Sequence, residues 1–275
     1  MTDNYYKISF TAPDTTTKDI SIALLSEIGF EGFEEDRLNV HAFIPMELLD
    51  ESILANLLQQ QNINYTKSII ENKNWNAEWE SNFNPVCIGN FCQVRAGFHA
   101  ADPTMAHDII INPKMSFGTG HHATTWLMID AMSELNITGT DVFDFGTGTG
   151  VLAILAAKMK AASIKAIDND DWSIENAAEN FLLNNVNTVI LEKASAMMAN
   201  SQYSLILANI NRHIILANLA AIQQHLKPEG VVLFSGLLKA DEEMVTDAAI
   251  AVGLQILTVK ERQNWICMKM VNKQP

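Results

Sequence analysis

The chain has 275 residues, 48% of them hydrophobic, with 32 acidic and 18 basic side chains and a formal net charge of −14. That apolar fraction supports a packed core and excludes wholesale disorder, and the length allows one large domain or a large one plus a small one. A phosphate backbone is gripped by Lys and Arg, so this balance argues against a direct nucleic-acid reader and leaves general acidic solubility or a basic macromolecular partner.

The charge is unevenly spread: residues 1–70 hold eleven acidic and four basic side chains, half of the excess in a quarter of the chain. This segment reads as a module. Tyr6, Ile8 and Phe10 alternate as in a half-buried strand that Pro13-Asp14 ends. Lys18–Ile28 reads as a helix with Ile20, Ala23, Leu24 and Ile28 on its apolar face and Gly29 closing it. Phe30–Glu35 and Leu38–Ile44 flank Asp36-Arg37 as a hairpin. Met46–Gln60 reads as a second helix with an apolar stripe of Leu49, Ile53, Leu54, Leu57 and Leu58, and Ile63, Tyr65 and Ile69 mark a further strand. Strand, helix, strand, strand, helix, strand is the split βαβ order, whose sheet keeps one face free of helices.

Trp75 and Trp79 then lie one helical turn apart before Pro85, as in a short linker helix that either packs on the larger domain or faces a substrate. From residue 86 strands and helices mostly alternate. Val86–Arg95, Asp108–Asn112, Asp141–Phe145, Ser163–Asp168, Val189–Lys193, Leu205–Ile210 and Val231–Ser235 read as extended. His122–Leu135, Val151–Met159, Asp171–Asn184, His213–Leu226 and Glu242–Val252 read as helical. Leu254–Glu261 and Asn264–Val271 flank Arg262-Gln263 as a closing antiparallel hairpin. This predicts a mainly parallel sheet covered on both faces.

The strongest motif is Asp144-Phe145-Gly146-Thr147-Gly148-Thr149-Gly150, leaving a strand and entering a helix, where doubly wound sheets bind nucleotide-like ligands. Glycines let the backbone take positive φ and approach a ligand with no Cβ in the way. The spacing is acid-G-x-G-x-G rather than the G-x-G-x-x-G of dinucleotide enzymes, which disfavours a nicotinamide-dependent oxidoreductase. Asp168 ends the next strand, where a carboxylate either accepts from ribose hydroxyls or caps the following helix. Asp144 is suited to a ligand's ammonium or to ordering the loop backbone. Asn209 ends an apolar strand as a crevice-facing amide or as a turn former. His121 and His122 have no Cys or carboxylate partner at ligand spacing, so no metal is expected. Cys87, Cys92 and Cys267 form neither a disulfide framework nor a zinc pattern, and Met1-Thr2-Asp3-Asn4 carries no basic n-region followed by an apolar stretch, so no signal peptide is expected. The expected compartment is the cytoplasm.

The glycine turn, Asp168 and the terminal hairpin resemble the class I S-adenosylmethionine methyltransferases. Phe117-Gly118-Thr119-Gly120 with Thr124-Thr125, together with Ala208-Asn209-Ile210, resembles one branch, the ribosomal protein L-eleven methyltransferases or PrmA family. The layout of small module, tryptophan linker and large domain extends the likeness over essentially the whole chain.

The resemblance implies an α/β fold: a doubly wound, seven-stranded, mainly parallel Rossmann-like sheet with a small N-terminal α+β ferredoxin-like domain. It divides the chain into a substrate-recognition domain at 1–70, a linker helix at 71–85 and an S-adenosylmethionine-binding domain at 86–275. It implies S-adenosylmethionine as cofactor, S-adenosylhomocysteine as product, and methylation of lysine ε-amines and the N-terminal α-amine of the ribosomal protein. Cofactor contacts carry over to Thr125, Gly146, Asp168 and Asn209, with Asp144, Gly148 and Phe117 beside them. Asp168 would hold the ribose and Gly146 the methionine side, and Thr125 and Asn209 would close the pocket near the methyl donor. Asn209 is also the candidate to orient the acceptor amine. His121 and Ala123 stand where Thr and Pro are common, and Asn211 where Leu is common. The expected partner is a basic ribosomal protein docked by the acidic module, with no membrane and a monomeric enzyme. A methyltransferase acting on another protein, RNA or a small molecule, and a non-catalytic cofactor-binding protein, are the alternatives.

Overall fold

The computed structural model describes residues 5–70, 83–112, 120–196 and 201–273. The Trp75/Trp79 segment and Phe117 lie outside them. By internal contacts the chain divides into two units, Met1–Asn82 and Phe83–Pro275.

The first unit runs β1 (Tyr5–Thr11), α1 (Thr15–Glu27), β2 (Gly32–Asp36), β3 (Asn39–Pro45), α2 (Glu51–Gln60) and β4 (Tyr65–Ile70), with the antiparallel order β2-β3-β1-β4. Alternation sends Ile8, Phe10, Val40, Ala42 and Ile44 inward against Leu25, Leu54 and Leu58. Two expectations need correction. The inward face of α1 carries Ser21 and Leu25, while Ile20 is exposed. Ser21 sits inside because its hydroxyl donates to the Thr17 carbonyl one turn back at 2.7 Å, so the polar group is satisfied without water. Met46–Gln60 is not one helix: Met46–Leu48 forms a 3-10 turn and α2 starts at Glu51. Asp50 breaks the run by capping, accepting from the Ser52 and Ile53 amides at 2.9 and 3.1 Å.

The second unit opens with a small sheet, β5 (Val86–Ile88), β6 (Cys92–Ala96) and β7 (His107–Ile111). The run Val86–Arg95, read as one extended stretch, folds back through Gly89 at φ +50°. The main sheet contains β8 (Asp141–Phe145), β9 (Ser163–Asp168), β10 (Val189–Lys193), β11 (Tyr203–Asn209), β12 (Leu226–Leu238), β13 (Leu254–Arg262) and β14 (Trp265–Asn272). Its seven strands follow the order β10-β9-β8-β11-β12-β14-β13. The first five are parallel, and β14 inserts antiparallel between β12 and β13. The closing turn falls on Gln263-Asn264, both at positive φ, one residue later than expected.

Among the described residues five helices join these strands: α3 (Ala123–Met132), α4 (Val151–Lys158), α5 (Asp171–Leu183), α6 (Arg212–His225) and α7 (Glu242–Ala251). Alternation along β11 splits the core between the two faces. Leu205 and Leu207 pack with Leu127, Ile154 and Leu155, while Ile206 and Ala208 pack with Ile215, Phe234 and Met268. Val151–Ala156 are all buried because α4 lies between β7 on one side and β8 and β9 on the other, which explains a helix apolar around its circumference. The chain steps outward from β8 through β9 to β10, then returns to place β11 on the other side of β8. That reversal opens a crevice at the carboxyl ends of β8, β9 and β11. Among the described residues no helix is long and apolar enough to cross a membrane.

Candidate functional site

The crevice is an open cleft of about 420 Å³. Its walls include Thr125 from α3, Phe145 to Gly148 around the glycine loop, Asp168 and Asn169 at the end of β9, and Asn209 to Asn211 at the end of β11. The structure therefore brings Thr125, Gly146, Gly148, Asp168 and Asn209 together from four separated segments.

The glycine loop is shaped by backbone conformation. Gly146, Gly148 and Gly150 have φ of +75°, +55° and +79°, values that cost other residues roughly 1–2 kcal/mol each. Close approach adds a second reason. A Cβ on Gly146 would lie 2.3 Å from Ile210 Cγ2, and one on Gly150 would lie 2.6 Å from the Phe181 ring. Gly236, at φ +81°, would put its Cβ 2.3 Å from the Ile210 carbonyl oxygen. Ile210 is thus wedged between two glycines, and the wedge sets the height of the Asn209-Ile210-Asn211 turn over the loop.

Two carboxyls hold the loop from different sides. Asp168 Oδ2 accepts from the Gly148 amide at 2.9 Å and Oδ1 from the Asp170 amide at 3.1 Å. The cap of α5 is Asp170, which accepts from the Ser173 amide at 2.9 Å, so Asp168 is released from capping and faces the cleft. Asp144 sits beneath the loop, 1% exposed and off the cleft wall, with Oδ2 accepting from the Thr147 hydroxyl at 2.6 Å. Burial raises its carboxyl to about 7; the Thr147 hydroxyl and Ala153 amide oppose that rise, and the Asp168 charge adds to it. Of the two roles open to Asp144, its position favours bracing the loop.

Asn209 supplies the exceptional polar atom of the cleft. Its Nδ2 donates to Thr125 Oγ1 at 3.3 Å, which turns Oδ1 the other way. Oδ1 is buried and has no hydrogen-bond partner among the described residues. A buried carbonyl oxygen without a donor costs about 1–3 kcal/mol, a cost a bound donor would remove. Thr125, wholly buried, fixes the rotamer.

The adjacent histidines diverge. His121 Nε2 lies 2.9 Å from the Asn84 carbonyl, outside the cleft lining. His122 caps α3, its Nδ1 accepting from the Thr124 amide at 3.3 Å, and its ring meets Trp265 edge-on at 4.7 Å. No group of three His, Cys, Asp or Glu side chains among the described residues fits a metal. Burial pushes the Cys92 and Cys267 thiols up to about 12, removing both as nucleophiles near neutral pH.

Sequence reasoning missed His122, Ile210, Gly236 and Trp265 as wall residues. Trp265 had a usable signal, since a closing hairpin that returns to the sheet carries its first residue back toward the crevice. Gly236 had none without the Ile210 contact.

The cleft fits a methyl donor of the nucleoside type. Gly146 leaves a cradle that a Cβ would fill, and Asp168 offers a carboxylate to hydroxyl groups.

Comparison with known proteins agrees with that chemistry. The family model for "Ribosomal protein L11 methyltransferase (PrmA)" matches residues 9–273. A ribosomal protein L11 methyltransferase of Porphyromonas gingivalis is 39% identical over 272 residues, 94% of this chain and 92% of that one. Its counterpart in Chlorobaculum tepidum is 38% identical over 254 residues, 88% and 87% of the two chains. Among solved structures, a ribosomal protein L11 methylase from Lactobacillus delbrueckii subsp. bulgaricus superposes with a TM-score of 0.64 at 28% identity, covering 70% of this chain and all of that one. A Pyrococcus furiosus methyltransferase shares the fold at a TM-score of 0.52 and 17% identity, covering 60% of this chain and 89% of its own.

Proposed function

The chain belongs to the ribosomal protein L11 methyltransferase (PrmA) family, and from that premise we propose that it methylates lysine ε-amines and the N-terminal α-amine of ribosomal protein L11 in the cytoplasm. It is an S-adenosylmethionine-dependent protein methyltransferase with the Rossmann-like fold of that class. The observation that carries the acceptor chemistry is the buried Asn209 carbonyl oxygen, without a hydrogen-bond partner among the described residues and set in the same cleft as the glycine loop and Asp168.

When bound, S-adenosylmethionine supplies a methyl group already activated by its sulfonium. The protein's task is to align and desolvate. Asp168 and the Gly146–Gly148 backbone would hold the nucleoside and methionine portions, with Thr125 and Asn209 at the transfer end. An ammonium has no lone pair, so the acceptor must give up a proton to solvent water before it attacks. Desolvation at the cleft favours that loss by penalising the charged form. Asn209 Oδ1 then accepts one N–H of the neutral amine and turns its lone pair toward the methyl group.

The acidic first unit, with its excess of carboxylates over ammonium groups, would dock the basic ribosomal protein. The enzyme would work as a monomer without reading nucleic acid itself. Incubation with methyl-labelled S-adenosylmethionine and purified L11 tests the proposal. Label on lysine and the N-terminal amine supports it, and label confined to RNA or small molecules refutes it.

A further inference from the structure

Helix α5 and its C-cap residue present Asn176, Asn180 and, at the cap, Asn184, four residues apart and 1%, 0% and 9% exposed. Asparagine is a weak helix former, and a buried amide is unfavourable unless hydrogen-bonded, so three on one buried face call for a reason.

Asn184 answers for the edge of the small sheet. Among the described residues β7 is its last strand, so alternate backbone groups on its outer side have no neighbouring strand there. Asn184 Oδ1 accepts from the Ile110 amide at 3.0 Å and Nδ2 donates to the Ile110 carbonyl at 2.6 Å, as a paired strand residue would. Two residues on, Asn180 Oδ1 accepts from the Asn112 amide at 2.7 Å.

Asn180 then does something Asn184 does not. Its Nδ2 donates to the Thr149 carbonyl at 2.8 Å, inside the glycine loop, and to Asn176 Oδ1 at 3.2 Å. One side chain thus ties the loop to the end of β7. Ala177 and Phe181, flanking it on α5, are the groups that a Cβ at Gly150 would strike. The asparagine face and the glycine loop are therefore fitted to each other at both the hydrogen-bonding and the packing level.

We propose that Asn180 is a positioning residue for the methyl-donor site: its amide sets the loop's conformation and its distance from the end of β7, so donor affinity depends on it beyond its contribution to stability. The proposal rests on the reading of the cleft as the S-adenosylmethionine site.

The full-length Asn180→Ala and Asn184→Ala variants test it, each compared with wild type for melting temperature, S-adenosylmethionine Kd by calorimetry, KM for the donor and kcat. Both lose strand-edge bonds, so both melt lower. Loss of a buried hydrogen bond at the loop predicts roughly a tenfold or greater rise in donor Kd and KM for Asn180→Ala, with kcat less affected. Asn184→Ala should stay within about twofold of wild type on the same scale.

If Asn180→Ala fails to fold, Asn180→Asp serves instead. It keeps the acceptor for the Asn112 amide and replaces the donor to Thr149 with an oxygen, so donor binding relative to wild type should recover as the pH is lowered and the new carboxyl regains a proton. Equal donor affinity in wild type and the Asn180 variants, or equal weakening by Asn184→Ala, overturns the proposal. Failure of the wild type itself to bind S-adenosylmethionine would instead overturn the reading of the cleft.

Discussion

Replacing Gly146 by alanine challenges the wedge at the centre of the cleft, and its cost can be divided in advance. The residue sits at φ +75°, where a Cβ costs roughly 1–2 kcal/mol. That Cβ also falls 2.3 Å from Ile210 Cγ2, and overpacking of this kind adds about 1–3 kcal/mol. Ile210 has no easy retreat, because its carbonyl side is pressed against Gly236. Gly146→Ala alone should therefore cost about 2–5 kcal/mol. Ile210→Ala deletes the obstructing methyl group, so in that background Gly146→Ala should cost only the backbone part, about 1–2 kcal/mol. Urea unfolding of the four proteins in the cycle measures the coupling, expected at about 1–3 kcal/mol. Calorimetry on the same proteins should show S-adenosylmethionine binding weakened most in the Gly146→Ala single variant. Costs that add to within about 0.5 kcal/mol would refute the wedge.

Three further outcomes follow from the same geometry. The Asp144 carboxyl titrates near 7 when folded and near 3.9 when unfolded, so the folded state holds its proton more tightly. Its stabilising contribution is complete below about pH 4 and lost as pH rises through 7, a slope approaching about 1.4 kcal/mol per pH unit. Asp144→Asn should flatten the fall in melting temperature over that interval, and an unchanged slope would assign the proton elsewhere. Asn209→Ala, which removes the unpartnered oxygen, should lower kcat by roughly tenfold to a hundredfold while donor Kd changes far less. Full turnover in that variant would remove Asn209 from acceptor alignment. The KM for the ribosomal protein should rise with added salt while donor affinity stays nearly constant, as expected if opposite charges bring enzyme and substrate together. A salt-independent KM would leave the acidic unit without a docking role.

What was legible in the sequence was whatever a period or a conformational demand writes locally. Alternation in β1 and β3, the mainly alternating strands and helices of the second unit, and an acid followed by glycines at every second position all follow from backbone geometry. They located the crevice and several of its wall residues. Local competition hid other features. Asp50 interrupts an apolar stripe that otherwise reads as one helix, and the inward Ser21 of α1 is disguised because its hydroxyl is satisfied within its own helix. Nonlocal contacts account for the rest. Gly236 is required by Ile210, and Asn180 by Thr149 and Asn112, partners 31 and 68 residues away. Asp144 and Asp168 illustrate the boundary. Both stood out in sequence, yet only the fold shows one beneath the loop and the other facing the cleft.

The central claim is that this cleft transfers methyl groups to amines of a ribosomal protein. Mass analysis of purified L11 after incubation with the enzyme and S-adenosylmethionine tests it most directly. The account predicts mass increments of whole methyl groups mapping to lysine side chains and the N-terminal amine, absent when Asp168 is replaced by alanine. Unmodified L11 from an enzyme that binds S-adenosylmethionine normally would contradict it.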